Sequence, residues 1–594
     1  MHQPELNRPE SSYFDYEAFP FVRPPEMDGD TRDHHPVAII GAGPVGLMLA
    51  ILLARHGLKP VLIEAEAYVC SGSRALALAR RTMEIAEQCG CADAFLDSAI
   101  VWKDGYSFYK GRVVHHLDIP YTDDDKFMPM TNLAQCAIEK ILVDRARELG
   151  VDCRFQTRLD KLVSHDDGVE LTLDTPEGTY PLRVDWLAAC DGARSSVRRL
   201  QGLRFEGNAY ESRFVIADMK VDIDSPTGRR CYFDPPWLPG QSVLLHKAPD
   251  NIWRLDYQVP DEMSDDEALD RERLGAQINA HFAYVGVDAP WDFEWVTLYK
   301  PNALTLGNYR HGRVLYCGDA AHLLPVFGVR GMNTGVQDSI NLAWKLAAVV
   351  NGSAPEALLD VYSSERVADA RQICVEAGRS TRLMAPPSRG FRVMQQAVLS
   401  LALDQDWVRG LLHWRTSHPI DYADSPATWH DPSEAQFDNG PHPGAPPRNV
   451  RLVSSKRKGR GKFLLDVTGP GFTVLVFGND SALWHAAAED VRASVEQGLA
   501  VTLVAVRQDD TTEPGADATL ADTDGRAHQL WGADDPPGQG TVYVLRPDQH
   551  IAARWKSGSP TRLANVLQFV LSAGAAGVLT SAGTNAPTQP GETA

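Results

Sequence analysis

Cysteine is scarce in this chain of 594 residues, and what there is forms no framework. The nine cysteines are Cys70, Cys89, Cys91, Cys136, Cys153, Cys190, Cys231, Cys317 and Cys374, so the last 220 residues have none. No C-x-x-C occurs and no Cys/His spacing suits zinc, so neither disulfides nor a metal site is expected. Excess positive charge is missing too: 58 basic residues face 78 acidic ones, a formal net charge of −20. Such a surface repels phosphate backbones and anionic lipid, which argues against nucleic acid as a partner. Long apolar runs are absent as well. The longest, Val37 to Ala54, is broken by Gly41, Gly43, Pro44 and Gly46, so no membrane span is expected. The opening MHQPELNRPESSYFDYEAF lacks the basic start and apolar core of a signal peptide. Together these absences point to a soluble, cytoplasmic protein with reduced thiols.

What is present reads as an α/β chain of several parts. Residues 1–35 form a loosely held polar arm. Val37–Ile40 has strand length and enters Gly41-Ala42-Gly43-Pro44-Val45-Gly46, followed by a helical stretch from Leu47 to Arg55 and a second strand, Pro60–Glu64. This is a βαβ unit. Ile138–Leu149 has the period of an amphipathic helix, and Val169–Leu173 alternates like a half-buried strand. Ser242–His246, Trp253–Val259 and Trp295–Tyr299 are strand-like runs separated by Pro and Gly, which places the main part of an antiparallel sheet domain at 205–300. Val314–Cys317 is a buried strand, Thr334–Val350 a long helix, and 355–415 is mostly helical. The nucleotide-binding part thus spans 36–204 and 301–415. Residues 416–449, rich in Pro, Asp, His and Gly, read as a linker. A C-terminal α/β unit follows at 450–580, then a disordered tail at 581–594.

The glycine loop lies where a dinucleotide needs it, between a strand and a helix N-terminus. Gly41 permits the tight turn, Gly43 lets backbone approach a pyrophosphate, and Gly46 lets helix and strand pack closely. Glu64 ends the next strand about 20 residues beyond the second glycine and can accept hydrogen bonds from a ribose. The setting is more specific than the motif, but it suits adenosine in either FAD or NAD. Two later segments narrow the choice. Cys190-Asp191-Gly192-Ala193-Arg194-Ser195-Ser196-Val197-Arg198 follows the buried run Trp186–Ala189. Gly318-Asp319-Ala320-Ala321-His322 follows Val314–Cys317 and precedes Phe327-Gly328-Val329-Arg330-Gly331-Met332-Asn333-Thr334-Gly335. Taken singly, Asp191 and Asp319 are ordinary turn residues. In this order and spacing, the three segments resemble the class A flavoprotein aromatic hydroxylases. The closer likeness is to the longer members, such as the phenol, 3-(3-hydroxyphenyl)propionate and aromatic polyketide hydroxylases. It covers residues 36–400 through motifs and the C-terminal unit more loosely.

The resemblance implies a Rossmann-like FAD-binding domain with an inserted, mainly antiparallel substrate domain, and a thioredoxin-like domain at the C-terminus. Gly41, Gly43, Pro44, Val45, Gly46 and Glu64 would hold the ADP half of FAD, and Arg74 and Gln135 the diphosphate–ribityl region. Asp191 and Arg194 belong to a segment associated with FAD and NAD(P)H. Asp319 would bond the ribityl chain, and Pro325 with the backbone of Gly331, Met332 and Asn333 would face the flavin. The implied activity consumes NADPH or NADH and O₂ and hydroxylates a small electron-rich aromatic, such as a phenol, through a flavin hydroperoxide, without metal. A homodimer is compatible with the family. The C-terminal unit has no cysteine and cannot exchange disulfides, which leaves a structural or oligomerisation role.

The chain also departs from the pattern. Pro325-Val326 stands where two prolines are common, and Val329-Arg330 where Gly-Gln is frequent. Leu76 stands near the place of an acid found in phenol hydroxylases. Arg330 either holds a polar substrate group or faces solvent. Val326 and Phe327 are pocket candidates, with Tyr257 from the sheet domain, and His246, Tyr232 and Arg330 are the candidate catalytic residues. His246 could accept a phenolic proton, since imidazole titrates near neutrality, or be a bonded core histidine. Tyr232 and Tyr257 are either pocket or core aromatics. Two rival functions remain: an FAD oxidoreductase without oxygen insertion, and a non-catalytic binding protein that keeps FAD.

Overall fold

A computed structural model describes residues 2, 7–29, 34–325, 327–412, 419–452, 462–536 and 538–575. Val326, residues 416–418 and the tail at 581–594 lie outside the described residues. The apolar run at Val37–Ile40 is buried because its strand, His35–Ile40, lies inside a sheet. Five strands run parallel there in the order Val314–Tyr316, Gly178–Ala189, His35–Ile40, Val61–Ile63 and Asp152–Arg154. Parallel pairing brings all their C-terminal ends to one edge. The segments that follow Ile40, Ile63, Ala189 and Tyr316 therefore converge, although they are far apart in sequence. That edge is where open α/β sheets bind ligands. The helices Pro44–Arg55 and Gly331–Val350 pack on this sheet and on each other.

The second sheet has seven strands in the order Trp291–Tyr299, Arg213–Val221, Ile252–Val259, Ser242–Lys247, Arg229–Phe233, Asp104–Tyr109 and Arg112–Asp118. The last two come from outside the 205–300 segment. The helix Arg271–Val285 covers one face, burying Val215, Leu245, Leu255, Ile278 and Phe282. The opposite face looks toward the parallel sheet's C-terminal edge.

The C-terminal unit is a five-stranded sheet in the order Ala518–Ala521, Val501–Arg507, Phe472–Gly478, Gly540–Leu545 and Ile551–Lys556; its first three strands are parallel and its last two antiparallel. A linker at 416–449 would leave few contacts between this unit and the rest. The structure differs. Trp344, Leu358 and Val361 share one apolar core with Phe472, Val474 and Val566. The turn of the last hairpin also enters the nucleotide-binding part. Arg546 donates to Glu365 Oε1 at 2.6 Å and Oε2 at 3.1 Å, Lys345 donates to Glu365 Oε2 at 2.6 Å, and Trp344 donates to Asp548 Oδ2 at 3.1 Å. Arg81 bonds Gln549 Oε1 at 2.6 Å and the Asp548 carbonyl at 2.7 Å. The Pro/Gly-rich segment from 419 onward packs into the same joint: Tyr422 is buried against Arg366 and Asp369. Its composition marks a lack of regular structure, not a lack of contacts. Among the described residues, no helix is long and apolar enough to cross a membrane.

Candidate active site

A cavity of about 1450 Å³ lies between the C-terminal edge of the parallel sheet and the open face of the seven-stranded sheet. Its walls include Gly41, Gly43, Pro44, Val45, Glu64, Arg74, Gln135, Asp191, Arg194, Asp319, Phe327, Arg330, Gly331, Met332, Asn333 and His246. Gly46, Pro325, Tyr232 and Tyr257 are not part of that wall.

The glycine loop fits a close-approaching diphosphate. Gly41 has φ +104°, and a Cβ there would lie 2.5 Å from the Cys190 carbonyl oxygen. A Cβ on Gly46 would lie 2.0 Å from the Gly41 carbonyl oxygen, so helix and loop touch only because both are glycine. The helix Pro44–Arg55 has no side-chain cap and Pro44 has no N–H, so the Val45 amide, at the cavity wall, stands open at its positive end. Glu64 Oε2 accepts from Ala42 N at 2.7 Å and Oε1 from Glu66 N at 3.0 Å; burial pushes its pKa up.

Arg74, with φ +35°, is exposed to the cavity, and its carbonyl accepts from Arg254 Nη1 at 2.6 Å. Gln135 starts the helix Gln135–Glu148, accepts from Ala75 N at 3.2 Å and donates to Glu139 at 2.7 Å. Asp191 is largely committed to structure. Its Oδ2 accepts from Ser196 N at 2.7 Å, Ser196 Oγ at 2.8 Å and Val197 N at 3.1 Å at the start of the short helix Ser196–Leu200. Arg194 is exposed at the cavity wall.

Asp319 projects from the turn Gly318–Ala320 and is exposed to the cavity, whose protein walls displace water around it and push its pKa up. A buried network that sequence reasoning missed holds this turn. Asp338 Oδ2 accepts from Gly318 N and is bonded by His322 Nε2, both at 2.8 Å, while Oδ1 accepts from Arg366 Nε at 2.6 Å. Burial opposes the charge on Asp338, but Arg366 and His322 more than offset it and its pKa is lowered. An aspartate between Val336 and Ile340 on a core helix was the available signal.

The helix Gly331–Val350 begins without a side-chain cap, leaving the Gly331, Met332 and Asn333 amides without intrahelical partners. The Asn333 side chain is fully used elsewhere. It accepts from Ala79 N at 2.8 Å and Thr82 Oγ1 at 2.6 Å, and donates to the Ala77 and Val329 carbonyls at 3.0 and 2.9 Å. Val329 has φ +59°, a left-handed conformation that costs a β-branched residue about 1–3 kcal/mol and that a glycine would adopt without strain. Arg330 does not face solvent: it is 2% exposed, with Nη1 3.3 Å from Glu376 Oε2.

The sheet face follows strand alternation. Ile252–Val259 sends Arg254 and Asp256 to the cavity, and Trp253, Leu255, Tyr257 and Val259 to the helix-covered core. Tyr257 and Tyr232 are therefore core aromatics, which corrects the pocket and catalytic roles expected for them. Tyr257 packs edge-on to Trp237 at 5.9 Å, and Tyr232 stacks on Phe108 at 4.9 Å. Pairing sets Ile216 and Leu244 beside Asp256, and Asp218 and His246 beside Arg254. His246 lines the cavity but does not titrate near neutrality. Burial, then Arg229 and Arg254, push it down to about 3, which makes it a weak proton acceptor. Burial has the opposite effect on Asp256, raising it to about 7 against the pull of Arg254.

Comparison with known proteins agrees with this geometry. Residues 34–377 match the FAD binding domain family, and residues 452–569 match the HcaD C-terminal domain. The chain is 31% identical to 6-methylpretetramide 4-monooxygenase of Streptomyces rimosus, over 92% of this chain and 94% of that one. It is 27% identical to 3-(3-hydroxy-phenyl)propionate/3-hydroxycinnamic acid hydroxylase of Mycolicibacterium smegmatis, over 87% and 90% of the two chains. The solved structure of aklavinone-11 hydroxylase with FAD and aklavinone aligns with TM-score 0.71 at 27% identity, covering 92% of this chain and 99% of that one. These relatives are named monooxygenases or hydroxylases, which favours oxygen insertion over the oxidoreductase alternative. The chain belongs to the class A FAD-dependent aromatic hydroxylases and is a flavoprotein monooxygenase.

Proposed function

We propose that this monooxygenase hydroxylates a phenolic or other electron-rich aromatic ring, with FAD as cofactor and NADPH or NADH as reductant. The observation that carries the reading is the continuity of one cavity from the glycine loop to the sheet face. Glu64 would accept from the adenosine ribose, the Val45 amide would face the diphosphate with Gly46 packed behind it, and Arg74 and Gln135 would flank it. Asp319 would accept from the ribityl hydroxyls. The open amides of Gly331 to Asn333 would lie against the electron-accepting edge of the flavin, where a helix N-terminus stabilises negative charge. FAD, once bound and reduced, supplies the oxygen-activating chemistry. The chain's own task is to exclude water and hold the ring. Ile216, Leu244, Phe327 and Met332 give the cavity an apolar lining for that purpose.

A single dinucleotide fingerprint is present, so NAD(P)H would bind transiently over the flavin part. The cysteine-free C-terminal unit, of thioredoxin-like type, would act as a structural brace through its shared core with the flavin part. The test uses FAD-loaded full-length protein, NADH or NADPH, and 3-(3-hydroxyphenyl)propionate with a panel of other phenols. Phenol-stimulated NAD(P)H oxidation with a hydroxylated product supports the reading. No uptake of FAD, or no product with any phenol, refutes it.

A further inference from the structure

We propose that Asp256 is the catalytic base of the substrate pocket, taking the proton from the ring hydroxyl of a phenolic substrate; this rests on the reading of the chain as a phenol hydroxylase. Asp256 lies mid-strand on the cavity face and is 7% exposed. Its cross-strand neighbours, Ile216 and Leu244, offer it no side-chain hydrogen bond. Its Oδ1 has no hydrogen-bond partner among the described residues, and the approach of Oδ2 to His246 Nε2 is 3.9 Å, too long for a bond. A buried carboxylate oxygen left alone costs free energy. Its neighbours are not left that way. Asp218 accepts from Arg254 Nε at 3.0 Å and from Ser73, and Arg254 also holds the Arg74 carbonyl. The site therefore has room for one donor from the cavity, and a ring hydroxyl is such a donor.

The charged and titratable groups on the cavity side around Asp256 are Arg254 on its own strand, Asp218 and His246 on the two neighbouring strands, Arg229 one strand further out beside His246, and Arg74 across the cavity. Burial and Asp218 raise its pKa, Arg254 lowers it, and the result is about 7. That brings the carboxylate within about three pH units of a phenol hydroxyl. His246, held neutral, does not compete for the proton. In the step, the substrate O–H bond breaks, an O–H bond forms on Asp256, and the electron pair stays on the phenolate oxygen. The ring becomes more electron-rich, and no electrons are exchanged with a co-reactant.

The test compares FAD-loaded full-length wild type, Asp256→Asn and Asp256→Glu on 3-(3-hydroxyphenyl)propionate and p-nitrophenol, measuring hydroxylated product across pH. Wild-type product formation should rise with pH through about 7. On 3-(3-hydroxyphenyl)propionate, Asp256→Asn should fall by about 100-fold at neutral pH, with the loss shrinking toward that phenol's own ionisation, while p-nitrophenol, already substantially ionised near neutrality, should lose far less. Asp256→Glu should restore part of the rate with a displaced pH limb. If Asp256→Asn does not retain FAD, the Asp256→Glu limb decides: displacement supports the assignment and an unchanged limb overturns it. A wild type that hydroxylates while Asp256→Asn keeps its rate and profile overturns the base alone. A wild type that hydroxylates neither phenol overturns the substrate reading and the base with it.

Discussion

Replacing Arg546 by methionine should reveal how tightly the C-terminal unit is joined to the flavin part. Arg546 is fully buried and bonded to both oxygens of Glu365 and both of Asp548. With Lys345, the cluster holds two cations and two anions and is balanced without water. Methionine keeps much of the volume but leaves Glu365 and Asp548 sharing Lys345, whose own pKa burial lowers to about 8. Removing one partner of a buried pair costs about 3–5 kcal/mol, because the charge left behind stays out of water. A second change, Asp548→Asn, restores the balance and should recover much of the loss, giving a favourable coupling in the double-mutant cycle. Denaturant unfolding of the full chain, followed by far-UV circular dichroism and by flavin release, measures both. The shared core through Trp344, Leu358 and Val361 implies that the two signals change together. A loss under about 1 kcal/mol, or C-terminal unfolding that leaves flavin bound, would refute the reasoning.

Three other substitutions test separate parts of the site. Asp319→Ala should remove a charged hydrogen bond worth about 1.5–3 kcal/mol and weaken FAD binding by about one to two orders of magnitude in a fluorescence titration; unchanged affinity would place the flavin elsewhere. Gly46→Ala puts a methyl 2.0 Å from the Gly41 carbonyl oxygen, so the helix must leave the strand, and the purified variant should be colourless. Normal FAD uptake would contradict that packing. Glu139 is buried and raised to about 7, so between about 4.5 and 7 the fold holds it protonated while the unfolded chain ionises it; the stability it contributes is full below 4.5 and is lost as pH rises through 7. Relative to wild type, apo Glu139→Gln should therefore gain about 3 kcal/mol between pH 4.5 and 8, and a flat difference would show that the carboxyl is not shifted.

The cofactor end of the cavity was legible because each motif follows a buried strand, and parallel strands deliver their C-terminal ends to one edge. The substrate end was less so. Alternation separates Arg254 and Asp256 from Tyr257, but nothing local tells which set the helix Arg271–Val285 will cover. Whether Tyr232 and Tyr257 line the pocket or the core stayed open in the sequence for that reason. The strands Asp104–Tyr109 and Arg112–Asp118 went unread because they join the sheet only through Arg229–Phe233, which pairs with the first of them and is distant in sequence. The state of Asp256 needed register: only pairing shows that its neighbours are Ile216 and Leu244. The domain joint was hidden because charges such as Glu365 and Arg546, which ordinarily mark surface, here satisfy one another.

The most direct test of the account supplies isotopically labelled O₂ to the FAD-loaded protein, with NAD(P)H and a phenol that stimulates its oxidation. The expected product is a hydroxylated ring carrying one labelled oxygen atom for each NAD(P)H productively consumed, with the label absent when only water is labelled. A product that gains no atom from O₂, or that takes its new oxygen from water, would contradict it.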